Sequence, residues 1–139
     1  MTRLTQDEYG VVLAQAIALR ATCPRASVGA VLMRDGRFIA GGYNGAPRGL
    51  QHCTQVGCLI IDNHCQRAVH AEANVIIQAA LHGVSTQGST AYITHFPCLT
   101  CAKMLINAGV VRIVYASDYR VSSEACNMLK EAGVQYEQS

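Results

Sequence analysis

From Thr90 onward the chain alternates strand-like runs with helical segments that stop at glycine. Thr90-Ala91-Tyr92-Ile93-Thr94 reads as a strand, a helix opens near Pro97 and stops at Gly109, and Val111 to Tyr115 is a second strand. A further helix spans Ser122 to Glu131, and Val134 to Tyr136 forms a last edge strand. Strand–helix–strand units of this length place successive strands side by side and parallel, because the helix must cross back over the sheet. That requirement restricts the chain to an α/β architecture.

The first half completes the sheet. Thr5-Gln6-Asp7-Glu8 fits a capping box, in which the Thr5 hydroxyl and Glu8 carboxylate satisfy free amides at a helix start. Leu13, Ala16, Ile17 and Arg20 continue that helix, with Cys23-Pro24 predicted as its end. Ser27 to Met33 is a strand, Asp35-Gly36 a tight turn, and Arg37 to Ala40 the antiparallel return. Ala71 to His82 reads as a helix stopped by Gly83. The expected fold is a three-layer α/β/α sandwich with a mixed five-stranded sheet flanked by helices, residues 1–139 forming one domain. Between these elements, Gly41 to Arg67 is predicted as a long irregular loop, rich in Gly, Asn, Cys and His, and such loops are commonly functional.

Composition excludes several classes. Half of the 139 residues are hydrophobic and only 14% charged, which is incompatible with disorder. Apolar runs such as Val75 to Leu81 and Gly29 to Met33 are far shorter than the ~20 residues of a membrane span. The N-terminus lacks the apolar stretch of a signal peptide, so a cytoplasmic location is expected. Seven cysteines, an odd count, then argue for metal binding or catalysis over a disulfide framework. The net charge of +2 gives no indication of a nucleic-acid partner. Only Lys103 and Lys130 are lysines, and Arg20, Arg25, Arg34, Arg37 and Arg48 cluster in sequence, as a solvated face or a phosphate site.

Two short motifs carry the chemistry: His70-Ala71-Glu72 and Pro97-Cys98-Leu99-Thr100-Cys101. Each falls at the N-terminal end of a predicted helix, where the helix dipole stabilises thiolates. His70, Cys98 and Cys101 supply three ligands for zinc and leave a fourth tetrahedral position open. Glu72 then serves as general acid and base, because bound zinc lowers the pKa of water from about 15.7 to roughly 7. The order H-x-E followed by P-C-x-x-C is the signature of zinc nucleobase deaminases. Two competing readings are a thioredoxin-like redox pair at Cys98 and Cys101, and a purely structural zinc with His95 as fourth ligand.

With these motifs the chain resembles the cytidine deaminase superfamily and, within it, the deoxycytidylate deaminases. The resemblance extends over nearly the whole chain. It rests also on Thr22-Cys23-Pro24-Arg25, Val28-Gly29-Ala30-Val31, Gly42-Tyr43-Asn44-Gly45-Ala46-Pro47, His64-Cys65-Gln66-Arg67 and Thr94 to Lys103. It implies hydrolytic deamination of dCMP to dUMP, with attack at C4 and Glu72 carrying the proton to N3. It also implies a homohexamer activated by dCTP with Mg2+ and inhibited by dTTP, and Gly42 to Arg48 is a candidate part of that effector site.

The resemblance implies that Asn44 contacts the sugar, against the alternative of a turn Asn suited to left-handed φ. The backbone near Ala71 and Pro97 is placed for the base edge. Arg25 and Ser27 are candidates for the phosphate, Ser27 alternatively being a helix-to-strand connector. A second, structural zinc is expected among Cys23, Cys53 and Cys65, with His64 or Cys58 as fourth ligand. Cys126 is expected in the core, His82 at a helix C-terminus, and Tyr115, Asp118, Tyr119 and Arg120 in a solvated helix start or a pocket wall. Rival functions are another deaminase of the superfamily, acting on cytidine, cytosine or tRNA adenosine, and a zinc-stabilised binding module without catalysis.

Overall fold

The computed structural model describes residues 2–118 and 120–139, so Tyr119 lies outside the described residues. Helix α1 (Gln6–Ala18) opens with the predicted capping box: Thr5 Oγ1 accepts from the Glu8 amide at 3.2 Å, and Glu8 accepts from the Thr5 amide at 2.7 Å. It ends at Ala18 and does not reach Cys23. The Leu19 and Arg20 amides turn back onto the carbonyls of Ala16 and Ile17, and the Thr22 amide is taken by the Asn44 carbonyl. A long-range backbone bond thus overrides local helix propensity.

Strands β1 (Gly29–Arg34) and β2 (Arg37–Tyr43) form the predicted hairpin, with Asp35 and Gly36 at φ of 54° and 73°, the left-handed pair that a two-residue turn requires. The stretch expected to be irregular is more ordered. Strand β2 runs on to Tyr43, and α2 (Cys53–Val56) is followed by a small hairpin of β3 (Ile60–Ile61) and β4 (His64–Cys65). Its turn is Asp62-Asn63, both at positive φ. The remaining elements are α3 (Ala71–Leu81), β5 (Thr90–His95), α4 (Leu99–Asn107), β6 (Arg112–Ser117), α5 (Ser123–Ala132) and β7 (Gln135–Gln138).

The main sheet has the order β2-β1-β5-β6-β7. β1 is antiparallel to both β2 and β5, whereas β5, β6 and β7 are parallel. This is the mixed five-stranded sheet expected from the sequence. Alternation along β1 sends Val31 and Met33 to a cluster with Val11 and Ala14 of α1, while Ala30 and Leu32 join Val75, Leu105 and Leu129 of α3, α4 and α5. Each fully buried leucine contributes about 1.5–3 kcal/mol through burial. Close approach of α3 to β2 depends on Gly42, where a Cβ would fall 2.6 Å from the Val75 nitrogen.

The mixed directions decide where function collects. The start of β1 and the ends of β2 and β5 meet at one edge, since Gly29 pairs with Tyr43 and Ala30 with Ile93. The carboxyl ends of parallel strands open on that edge, where α/β sheets bind ligands.

Candidate metal centre and active-site cavity

His70 is the N-cap of α3 and Cys98 the N-cap of α4. Cys101 lies one turn into α4, so C-x-x-C spacing brings both sulfurs to one end of the helix. The ligand atoms of His70, Cys98 and Cys101 all lie within 4.8 Å of one another. His70 Nδ1 is 3.6 Å from Cys98 Sγ and 3.4 Å from Cys101 Sγ. A tetrahedral zinc with ordinary Zn–N and Zn–S bonds sets that separation at about 3.5 Å. The donor set and its spacing fit zinc.

Within the triad, electrostatics favour the ligating thiolate at Cys98. The Cys101 thiol donates to the Cys98 sulfur, and His70 with the Cys101 amide adds to it, bringing Cys98 down to about 4. Cys101 is pushed up as the donor of that pair, with burial adding to the effect. The contact with Cys98 raises His70. Glu72, in the first turn of α3, is only 5% exposed, and burial holds its carboxyl above the usual range. The Cys101 side chain also hydrogen-bonds the Glu72 carboxylate.

His70, Glu72 and Cys98 face a cavity of about 580 Å³. Its wall includes Arg25, Ala26, Val28 and Asn44 from the β1–β2 edge, Ala71 and Glu72 from α3, and His95 and Phe96 from the end of β5. Asn63, His64 and Cys65 of the small hairpin, together with Cys23 and Arg120, complete it. Asn44 is 7% exposed, and its amide bridges the chain leading into β1: Oδ1 accepts from the Val28 amide at 2.8 Å and Nδ2 donates to the Ala26 carbonyl at 2.9 Å. Ser27 is exposed and is not among the lining residues. His95 stands outside the His70 ligand group, its Nδ1 lying 2.8 Å from Thr94 Oγ1.

A second sulfur cluster consists of Cys53, Cys58 and Cys65, again within 4.8 Å. Cys53 and Cys65 sulfurs are 3.7 Å apart, against about 3.8 Å across a tetrahedral zinc. Burial, reinforced by hydrogen bonds with Cys65 and Cys53, pushes Cys58 up to about 11. Against burial, backbone amides of Ala68 and Arg67 hold Cys65 at about 6, the thiolate a metal needs. Cys23 is not in this triad, although its charge is felt at Cys53. Because Cys58 and Cys65 flank the β3–β4 hairpin, the cluster pins the segment that delivers Asn63 and His64 to the cavity.

Elsewhere, Cys126 and Tyr115 pack against the main core, and His82 is the C-cap of α3. Arg120 faces the cavity and Asp118 is exposed. Gly42 serves helix packing, and Pro47 and Arg48 are the exposed part of the Gly42 to Arg48 stretch. The hairpin was legible only as Asp62-Asn63, a turn pair between short apolar and polar runs.

A His-Cys-Cys centre at a sheet edge, with a buried carboxylate one helical step away, defines the zinc-dependent deaminase class. Within that class the chain belongs to the cytidine and deoxycytidylate deaminase family, whose zinc-binding region matches residues 4–117. It is 47% identical over 138 residues to ComE operon protein 2 of Bacillus subtilis, covering 99% of this chain and 73% of that protein. It is 36% identical over 140 residues to a deoxycytidylate deaminase of Saccharomyces cerevisiae, covering 96% of this chain but spanning only 45% of that enzyme. Among solved structures, the dCMP deaminase of cyanophage S-TIM5 in complex with dCMP and dUMP is similar over the full length of both chains, with 30% identity and a TM-score of 0.86. No helix among the described residues is long and apolar enough to cross a membrane.

Proposed function

We propose that this chain is a zinc-dependent dCMP deaminase, converting dCMP and water to dUMP and ammonia and so supplying dUMP for thymidylate synthesis. Residues 1–139 act as one catalytic domain. The observation that carries the reading is the buried Glu72 beside the His70–Cys98–Cys101 triad, within a cavity that also presents Arg25 and Arg120. The full-length likeness to the cyanophage enzyme supports a nucleotide substrate.

His70, Cys98 and Cys101 would hold Zn2+, which when bound would lower the pKa of a coordinated water from about 15.7 to roughly 7. Glu72 takes the proton from that attacking water and delivers it to N3 as oxygen bonds to C4. It then takes the proton of the new C4 hydroxyl and passes it to the leaving nitrogen, so that ammonia departs as the C4 carbonyl forms and N3 keeps its hydrogen. A buried carboxyl with a raised pKa suits traffic in both directions. Ala71, at the first position of α3, offers its backbone to the base edge. Asn44 addresses the sugar with the hydrogen-bonding capacity its own backbone contacts leave, and Arg25 and Arg120 address the phosphate through guanidinium forks.

We assign the second cluster to a closed structural zinc, with Cys53, Cys58 and Cys65 as ligands and Cys23 completing the set. Cytoplasmic location, assembly as a homohexamer, and control by dCTP with Mg2+ and by dTTP follow from the family resemblance. Sedimentation and effector titrations test the last two. The activity itself is tested by the fall in absorbance when zinc-loaded protein meets dCMP, deoxycytidine or cytidine. Preference for dCMP is the expected result, and turnover of cytidine without turnover of dCMP overturns the reading.

A further inference from the structure

The end of β5 carries a hydrogen-bond relay that the deamination chemistry above does not use. Thr94 is 8% exposed, and its hydroxyl accepts from the Gly29 amide at 3.1 Å. The same oxygen lies 2.8 Å from His95 Nδ1. A hydroxyl has one proton to donate, and a buried one must find an acceptor. The Gly29 amide is a donor, so the acceptor in reach is His95 Nδ1. That ring nitrogen is therefore bare and Nε2 carries the hydrogen. Burial also lowers the His95 pKa, which keeps the ring neutral.

With Nδ1 turned to Thr94, the opposite edge of the ring is the one available to the cavity that His95 lines. Pairing of Ala30 with Ile93 places His95 across from Val28, on the wall that also holds Ala26 and Arg25. We infer that His95 is a substrate-binding, specificity-determining residue, presenting a neutral Nε2–H donor to an acceptor oxygen on the sugar–phosphate half of the nucleotide, with Thr94 as the positioning residue that fixes its tautomer. A neutral donor can select an oxygen without adding charge beside the metal centre, and its orientation is set before substrate arrives.

This inference rests on the nucleotide reading, and the experiments separate the two. In His95→Leu, KM rises about 10-fold with kcat changed less than about two-fold, the signature of a lost binding contact. His95→Gln, which restores an N–H donor, recovers to within about three-fold of wild type; Thr94→Val, which removes the hydroxyl, raises KM toward the His95→Leu value, and Thr94→Ser, which restores the hydroxyl, reverses that rise. Comparing dCMP with deoxycytidine locates the acceptor: a KM effect on dCMP alone assigns a phosphate oxygen, and an equal effect on both assigns a sugar oxygen. Nitrogen-15 spectra of the ring, independent of turnover, show Nε2 protonated and Nδ1 bare at neutral pH. A protonated Nδ1, or an unchanged KM in His95→Leu, overturns the inference. Failure of the wild type to turn over dCMP instead sinks the substrate assignment and leaves the tautomer measurement standing.

Discussion

Replacing Glu72 by Gln separates proton transfer from metal binding at this site. The substitution keeps the shape of a side chain that is only 5% exposed, so it opens no cavity. Glu72 is outside the ligand group of His70, Cys98 and Cys101, so zinc content should stay at the wild-type level. What is lost is the only carboxyl among the described residues lining the cavity, and with it a group that both accepts and returns a proton. General acid–base catalysis contributes roughly 10²–10⁴-fold, and here one group serves several transfers, so kcat should fall by about 10³-fold or more. That corresponds to about 4 kcal/mol of transition-state stabilisation. KM for dCMP should change less than about three-fold, because the amide fills the same space and the binding contacts lie elsewhere. The assay is steady-state dCMP turnover alongside metal analysis of the same preparation. More than a tenth of wild-type turnover at full zinc loading refutes the assignment. So does loss of zinc with the activity, which would make Glu72 a ligand.

The second sulfur cluster predicts two zinc ions per fully loaded chain, falling to one in Cys58→Ser, with a lower melting temperature and a raised KM because the hairpin bearing Asn63 and His64 is released; a single zinc in the wild type removes the site. Asp7 accepts two hydrogen bonds from Arg112, at 2.8 and 2.7 Å, and one from Tyr92 at 2.8 Å, joining α1 to β5 and β6. With side chains 25% and 41% exposed the pair is screened, so Asp7→Asn should cost about 1 kcal/mol in urea unfolding. The Arg112 contact lowers the Asp7 pKa, so this stability is present above the unfolded carboxylate pKa and is lost as pH falls through the lower folded value; an acid titration that leaves wild type and Asp7→Asn equally far apart at every pH contradicts it. Gly42→Ala should destabilise by about 1–3 kcal/mol, since the new Cβ meets backbone of α3 at 2.6 Å, and a neutral result in thermal melts would show that α3 can move away from β2.

Local chemistry was readable from the sequence wherever the determining interaction is itself local. The Thr5–Glu8 capping box, the Asp35-Gly36 turn and the helix starts at His70 and Cys98 each depend on residues within four positions of one another. The meeting of His70, Cys98 and Cys101 was legible for the same reason, since each motif fixes its own half and the strand–helix pattern brings both halves to one edge. The early end of α1 was not legible, because it is decided by a bond from Thr22 to Asn44. Likewise, which cysteines meet depends on the path of the chain: Cys58 joins Cys53 and Cys65 because the β3–β4 hairpin folds it back, and Cys23 stays outside the triad. The state of His95 is decided by a hydroxyl beside it in sequence whose proton is directed by an amide 65 positions away. Residue order determines which groups can ionise, ligate or cap; only the folded sheet determines which of them share a dry edge, and so which protons and charges they can exchange.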